Sequence, residues 1–378
     1  MHFALTDEQR MLADMVDRLI EKSYSFEQRK QSVAAPHGYS PEVWRTLAQT
    51  GLLGLHVPES FGGMDASPAE TCVVMEAFGR GLLVEPFVQN AVVAARLLGQ
   101  AGSEWQRNRL LPRIAAGEQM LAIACHEPAG RFDLWNVTTT ATPVADGWRI
   151  DGAKCTVPFG DSADHLLVTA RTSASALGSD GISVFLVDRG ASGVATQGFK
   201  TFDGLRAAEV RFESVQVGHA SIVGAKDRGL ALLEAALDEG IAATCAESVG
   251  AMQRLLDLSI DYLRTRKQFG RPIGTFQALQ HRLAEMFMSV EQARSAALLA
   301  AAHARNPDAS ERRRAVSAAK ALVGRYGRQV GEAAIQLHGG MGMTDEMPCG
   351  HYFKRLVGLD KTWGDSAHHA EIFALSVG

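Results

Sequence analysis

No stretch of the 378 residues approaches the roughly 18 consecutive apolar positions that cross a bilayer. The first ten residues, Met1 to Arg10, have neither a basic start nor an apolar core, so neither a membrane span nor a secretory leader is expected. Cysteine is scarce as well. The five thiols, Cys72, Cys125, Cys155, Cys245 and Cys349, are odd in number, far apart and never in a Cys-x-x-Cys pair, which argues against a disulfide framework and against a metal site of zinc type. Charge of one sign is missing too: 38 Lys+Arg stand against 42 Asp+Glu, the net charge is -4, and no basic run appears, so nucleic acid is not an expected partner. These absences describe a reduced, cytoplasmic protein whose partners are small molecules or other proteins. The hydrophobic share of 46% and charged share of 21% are those of a folded globular chain, long enough for two or three packed segments of one subunit.

The apolar spacing changes period twice along the chain. From Thr6 to about Glu118 it is helical: Thr6 and Gln9 have capping-box spacing ahead of Met11, Leu12, Met15, Val16 and Leu19. A second helix is expected from Glu42 to Gly51 and a third around Ala69 to Phe78, with the breaker-rich Pro58 to Gly63 loop between them. From about Met120 to Gly218 the segments are short, β-branched or aromatic, and divided by glycine turns. Strands are expected at Thr138 to Thr142, Trp148 to Ile150, His165 to Ala170, Ser183 to Val187 and Ala208 to Phe212. Beyond Gly229 long alanine-rich helical patterns return over Leu230 to Leu263, Gln277 to Ala304 and Ser310 to Leu337, which suggests a bundle.

One segment carries more chemistry than the rest. After Tyr262-Leu263-Arg264-Thr265 comes Arg266-Lys267-Gln268-Phe269-Gly270-Arg271-Pro272-Ile273, and then Phe276-Gln277 opens a new helix. Cationic and amide donors at a helix junction suit a diphosphate, although a solvated basic turn would look the same. Farther on, Gln336-Leu337-His338-Gly339-Gly340-Met341-Gly342-Met343 pairs an amide with glycines that let backbone N–H groups approach a phosphate; a plain helix C-cap is the other reading.

Together these segments resemble the acyl-CoA dehydrogenase signature. The similarity extends to Leu52-Leu53-Gly54-Leu55-His56-Val57-Pro58-Glu59-Ser60-Phe61-Gly62-Gly63 and so covers nearly the whole chain in the right order. The chain looks like a divergent member, similar to small subunits of the pimeloyl-CoA dehydrogenase type. The resemblance implies an α+β fold: an N-terminal helical domain (1–118), a central β-barrel or sandwich domain (119–220) and a C-terminal four-helix bundle (221–378). It implies FAD, bound through Arg266, Gln268, Phe269 and Gln277, with Gln336, Gly339 and Gly340 reaching the diphosphate of a neighbouring subunit. An assembly of at least two chains follows, a homo-oligomer or a hetero-oligomer with a second dehydrogenase subunit, and electron-transfer flavoprotein is the implied acceptor.

The flavin-facing β segments depart from the family pattern. In Cys125-His126-Glu127-Pro128-Ala129-Gly130-Arg131-Phe132-Asp133, His126 and Phe132 replace two hydroxyl side chains of relatives. His126 is read as a polar neighbour of the isoalloxazine, with a role as catalytic acid the less favoured alternative. In Lys154-Cys155-Thr156-Val157-Pro158, Thr156 is offered to the flavin, and Pro158 lacks a donor.

Acyl-CoA α,β-dehydrogenation needs a carboxylate for the α-proton. Both positions at which relatives hold it are glycine here, Gly364 in Trp363-Gly364-Asp365-Ser366 and Gly240 on the helix before Arg266. Three carboxylates remain. Glu247 is seven residues beyond Gly240, close to the same helix face and set among Ala242, Ala243, Ala246 and Val249; Glu239 is adjacent but turned by about 100° and, following Asp238, reads as part of a solvated pair; Asp365 follows Gly364. They rank in that order. With both positions blank, a non-catalytic or half-site partner subunit of a heteromeric dehydrogenase is the rival function, and a flavin oxidase or monooxygenase on the same fold is the next.

Overall fold

Thr6 opens the first helix as its spacing predicts: its hydroxyl accepts the Gln9 N–H at 3.1 Å, and the Gln9 side chain accepts the Thr6 N–H at 3.1 Å. The computed structural model describes residues 5–173, 178 and 180–377, so the outer ends of the expected domain ranges, 1 and 378, lie outside it. Helices α1 (Asp7–Ser23), α2 (Phe26–Ala34), α3 (Pro41–Gln49), α4 (Pro68–Gly81), α5 (Ala95–Ala101) and α6 (Glu104–Ala115) come first, with a π-helical turn, Val88–Ala94, leading into α5. The strands are β1 (Leu121–Ala124), β2 (Thr140–Val144), β3 (Gly147–Pro158), β4 (His165–Arg171), β5 (Ile182–Asp188), β6 (Val194–Lys200), β7 (Arg206–Gly218) and β8 (Ile222–Val223). Then follow α7 (Gly229–Thr265), a hairpin of β9 (Lys267–Gln268) and β10 (Arg271–Pro272), α8 (Gln277–His303), α9 (Ala309–His338), α10 (Pro348–Lys361) and α11 (Ser366–Val377). The fold is an N-terminal helical domain, a middle β domain and a C-terminal helical domain. Among the described residues no helix is long and apolar enough to cross a membrane.

The chain divides into two compact units: Met1–Lys30 with Pro68–Leu83 and Ile241–Gly378, and Gln31–Ser67 with Val84–Gly240. In the second, the strands run in the order β6-β7-β3-β2-β4-β5-β8, with β1 added in parallel to β4. Alternate residues of these strands, among them Ile150, Leu166, Val168, Phe185, Val187, Val210 and Phe212, bury one apolar core. Within the same unit Lys154 is a fully buried ammonium. It donates to Glu127 at 2.7 Å and to the Thr169 hydroxyl at 2.9 Å, while Glu127 also accepts the Thr138 and Thr139 N–H groups at 2.8 and 3.0 Å. A buried charge pair is tolerable only when saturated in this way.

In the first unit α4 crosses α7 with backbone against backbone. A Cβ on Gly79 would lie 2.0 Å from the Glu247 carbonyl oxygen, and one on Gly250 would lie 1.9 Å from that of Glu76. Two glycines one turn apart on opposing helices therefore set the depth at which the Glu247 segment sits. Gly250→Ala should force the helices apart and lower stability by about 1–3 kcal/mol, the usual cost of overpacking, as read from urea midpoints at constant slope.

Candidate active site

The two motif segments proposed for cofactor binding meet at one end of the first unit. The last turn of α7 carries Tyr262, whose ring stacks on the buried His338 at the end of α9, 4.6 Å between centroids and 26° between planes. Tyr262 O accepts the Arg266 N–H at 2.9 Å, and His338 is followed at once by Gly339 and Gly340. The stack thus places the Arg266 turn beside the glycine turn.

That turn is a two-stranded hairpin, with Gln268 paired to Arg271 and Phe269 at its tip with φ 54°. Phe269 is 90% exposed, with its ring edge-on to Phe276 at 6.0 Å between centroids. Arg266 and Gln268 are also exposed, and Gln277 begins α8 at the surface. Gly339 takes φ 60°, a conformation suited to glycine, whereas a Cβ on Gly340 would meet nothing within 4 Å. Packing within the chain therefore gives no reason for a glycine at 340. A bare backbone beside exposed arginine and glutamine side chains is the donor set that a dinucleotide diphosphate requires, so the residues present fit FAD. Gln336 precedes this turn on α9.

In the second unit the β residues read as flavin neighbours are brought together. The Cys155 N–H donates to the His126 carbonyl at 2.9 Å, which sets His126 next to Thr156. Thr156 is exposed and takes φ 49°, in a register break between β3 and β7. A β-branched residue in the left-handed region is a strained one, and strain of this kind concentrates at functional loops.

The three candidate carboxylates are all engaged. Glu247, in the first unit, is buried, and its Oε1 accepts from Arg355 Nε of α10 at 2.6 Å. Its expected apolar surroundings are present, Ala242, Ala243, Ala246 and Val249 all being buried, but they include this guanidinium. Glu239, in the second unit, is not the solvated residue its Asp238 neighbour suggests: it is buried between Arg96 Nε at 2.5 Å and His56 Nδ1 at 3.3 Å. Asp365 is partly exposed. Burial acts to raise its carboxyl, but the Lys361 ammonium at 2.6 Å and the N–H groups at the start of α11 hold it below the usual range.

Position 364 is closed to a side chain. Gly364 takes φ 111°, and a Cβ there would stand 2.6 Å from His368 Cδ2 and 2.7 Å from His369 Nε2. The buried His369 is locked in place, its Nδ1 against the Ser317 hydroxyl at 3.1 Å and its Nε2 on the Trp363 carbonyl at 3.0 Å. Burial, with Lys320 nearby, pushes this imidazole down to about 3, so it stays neutral and structural.

Nothing in the sequence singles out Arg355, Arg96 or His56 as the partners that hold these carboxylates. His56 lies inside the Leu52 to Gly63 motif and could have been singled out as a buried polar residue. Arg355 is 108 residues from Glu247 and carries no local signal.

Family profiles match three successive parts of the chain: Acyl-CoA dehydrogenase, N-terminal domain over residues 6–118, middle domain over 122–215 and C-terminal domain over 227–377. Over 317 residues the chain is 31% identical to the mitochondrial isovaleryl-CoA dehydrogenase of Oryza sativa subsp. japonica, spanning 82% of this chain and 77% of that protein. Among solved structures, a variant of the Tcur3481-Tcur3483 steroid ACAD superposes with a TM-score of 0.88 at 30% identity over 98% of each chain. The glutaryl-coenzyme A dehydrogenase complex with glutaryl-CoA gives 0.92 at 26% identity over 100% of this chain and 96% of that one. With all three domains matched in order, the chain belongs to the acyl-CoA dehydrogenase family of enzymes.

Proposed function

We propose that the protein catalyses FAD-dependent α,β-dehydrogenation of an acyl-CoA thioester. The observation that carries this reading is the pairing, at one end of the first unit, of the exposed Arg266-Gln268-Phe269 hairpin with the bare Gly339-Gly340 turn. FAD, when bound, supplies the hydride acceptor. Arg266 gives a charge-assisted contact to a phosphate, Gln268 and Gln277 give amide donors, Phe269 covers an apolar ring face, and Gln336, Gly339 and Gly340 beside them serve the same diphosphate, that of a second subunit. His126 and Thr156 line the flavin. Glu247 takes the α-proton, with Arg355 fixing Oε1 so that Oε2 is the oxygen to which the proton moves. Electron-transfer flavoprotein is the acceptor in this reading.

A second reading has a specific support. Both family base positions are glycine, position 364 is sterically closed, and all three other carboxylates are ion-paired. The chain would then be one subunit of a heteromeric dehydrogenase whose partner completes the site, an arrangement in keeping with the two-component name of the Tcur3481-Tcur3483 steroid ACAD.

FAD binding separates the family reading from its failure. Purified protein is expected to take up FAD at micromolar concentration, and Arg266→Ala should weaken it by roughly 10- to 100-fold, the worth of about 1.5–3 kcal/mol for one charge-assisted phosphate contact. Isothermal titration of both proteins checks this. A stable wild-type chain that is colourless when separated from excess FAD by gel filtration would refute the cofactor assignment for the chain by itself.

A further inference from the structure

On β3, two residues stand opposite one of β7. Lys154 pairs with Val210 and Val157 with Ala208, so Cys155 and Thr156 together face Glu209. This is a β-bulge, a device that re-aims side chains. Two bonds hold its strained crest. The Cys155 N–H goes to the His126 carbonyl at 2.9 Å, and the Thr156 N–H goes to Glu209 Oε1 at 3.4 Å, a long bond assisted by the carboxylate charge. The one residue opposite the bulge is thus also the one whose side chain returns to it.

We propose that Glu209 is a positioning residue of the flavin site: its carboxylate occupies the Thr156 amide, fixes the bulge so that Thr156 is presented by its hydroxyl, and sets a negative charge beside the flavin. The assignment rests on the FAD reading above. A second observation supports the geometry. Burial raises the pKa of the Cys155 thiol, and the Glu209 charge raises it further, as a neighbouring carboxylate must. Cys155 is also a local reporter, because the other four cysteines are buried and it alone is half-exposed.

The test compares Glu209→Ala and Glu209→Gln with the wild type in three readouts: the FAD dissociation constant, the reduction potential of the bound flavin, and the rate at which N-ethylmaleimide labels Cys155, located by peptide mass spectrometry. Glu209→Ala should weaken FAD by about tenfold, the loss of one charge-assisted hydrogen bond, and label faster. Glu209→Gln retains an acceptor for the amide, so it should restore FAD affinity while the potential rises with the charge gone. A purely structural role would not separate affinity from potential in this way. Wild-type FAD affinity together with wild-type labelling in Glu209→Ala would overturn the proposal, as would equal losses of FAD affinity in the two variants. If the wild type binds no FAD, the cofactor reading falls instead. The labelling rates of the FAD-free proteins then decide whether Glu209 holds the bulge: both variants lose the charge, so labelling faster in Glu209→Ala than in Glu209→Gln supports it, and equal rates in the two refute it.

Discussion

Glu247→Gln is expected to slow reduction of bound flavin by an acyl-CoA by about 10²–10⁴-fold, the range for loss of a positioned base. Substrate affinity should change little, since the amide is nearly isosteric and its oxygen can still accept from Arg355 Nε. The geometry sharpens the experiment. Glu247 is buried, its backbone carbonyl is pressed against Gly79, and Arg355 engages one carboxylate oxygen at 2.6 Å, so the side chain has little freedom to move. A substrate must come to it. Thermal unfolding measured alongside separates chemistry from folding, because a buried charge pair that is damaged destabilises as well. If Glu239→Gln or Asp365→Asn abolishes flavin reduction while Glu247→Gln does not, the order of candidates is wrong. If none of the three matters, the base comes from another subunit.

Lys154→Met should be the most destabilising single change in the β domain, by about 3–5 kcal/mol, because it leaves Glu127 buried without its countercharge. Urea denaturation reads this directly, and a Lys154→Met/Glu127→Gln double variant should recover part of the loss. The same pair has an acid signature. Burial acts to raise the Glu127 carboxyl, but the Lys154 charge and the bonds from Lys154, Thr138 and Thr139 outweigh it and pull the value from 4.5 to about 2. A carboxyl whose folded value lies below its unfolded value stabilises fully above about pH 4.5, and that contribution fades as pH falls toward about 2. In Lys154→Met burial acts on the Glu127 carboxyl without the countercharge and raises it, so the variant's stability deficit against the wild type should narrow as pH falls from about 4.5 toward about 2.

Local chemistry was readable and distant pairing was not. Thr6 and Gln9 close their capping box where the spacing placed it, and the long helices start and stop within a residue or two of the periodic runs, because caps and amphipathic faces are short-range properties. The strands β2, β3, β4, β5 and β7 announce themselves by β-branched residues between glycine turns. Three others of the β domain did not. β1 is four buried residues, too short to show a period; β8 is only two; and β6 is mostly exposed with Gly198 inside it, so its pairing with β7 supplies the order that its own sequence lacks. At the candidate site, the hairpin and the glycine turn were visible as motifs, but the Tyr262 to His338 stack that joins them links residues 76 positions apart in a way no local pattern encodes. Glu239 shows the opposite failure. Its Asp238 neighbour suggests solvent, yet Arg96 and His56 make burial possible by supplying opposite charge and a hydrogen bond.

The proposed function has this chain remove a proton and a hydride from adjacent carbons of an acyl thioester. Anaerobic titration of the FAD-loaded protein with a panel of short, branched and long acyl-CoAs tests it most directly, with the visible absorbance of oxidised flavin as the readout. Bleaching by at least one acyl-CoA, with the matching enoyl-CoA recovered in equal amount, is the predicted result. Flavin that stays oxidised with every acyl-CoA, in protein shown to be folded and fully loaded, would contradict dehydrogenation by this chain alone.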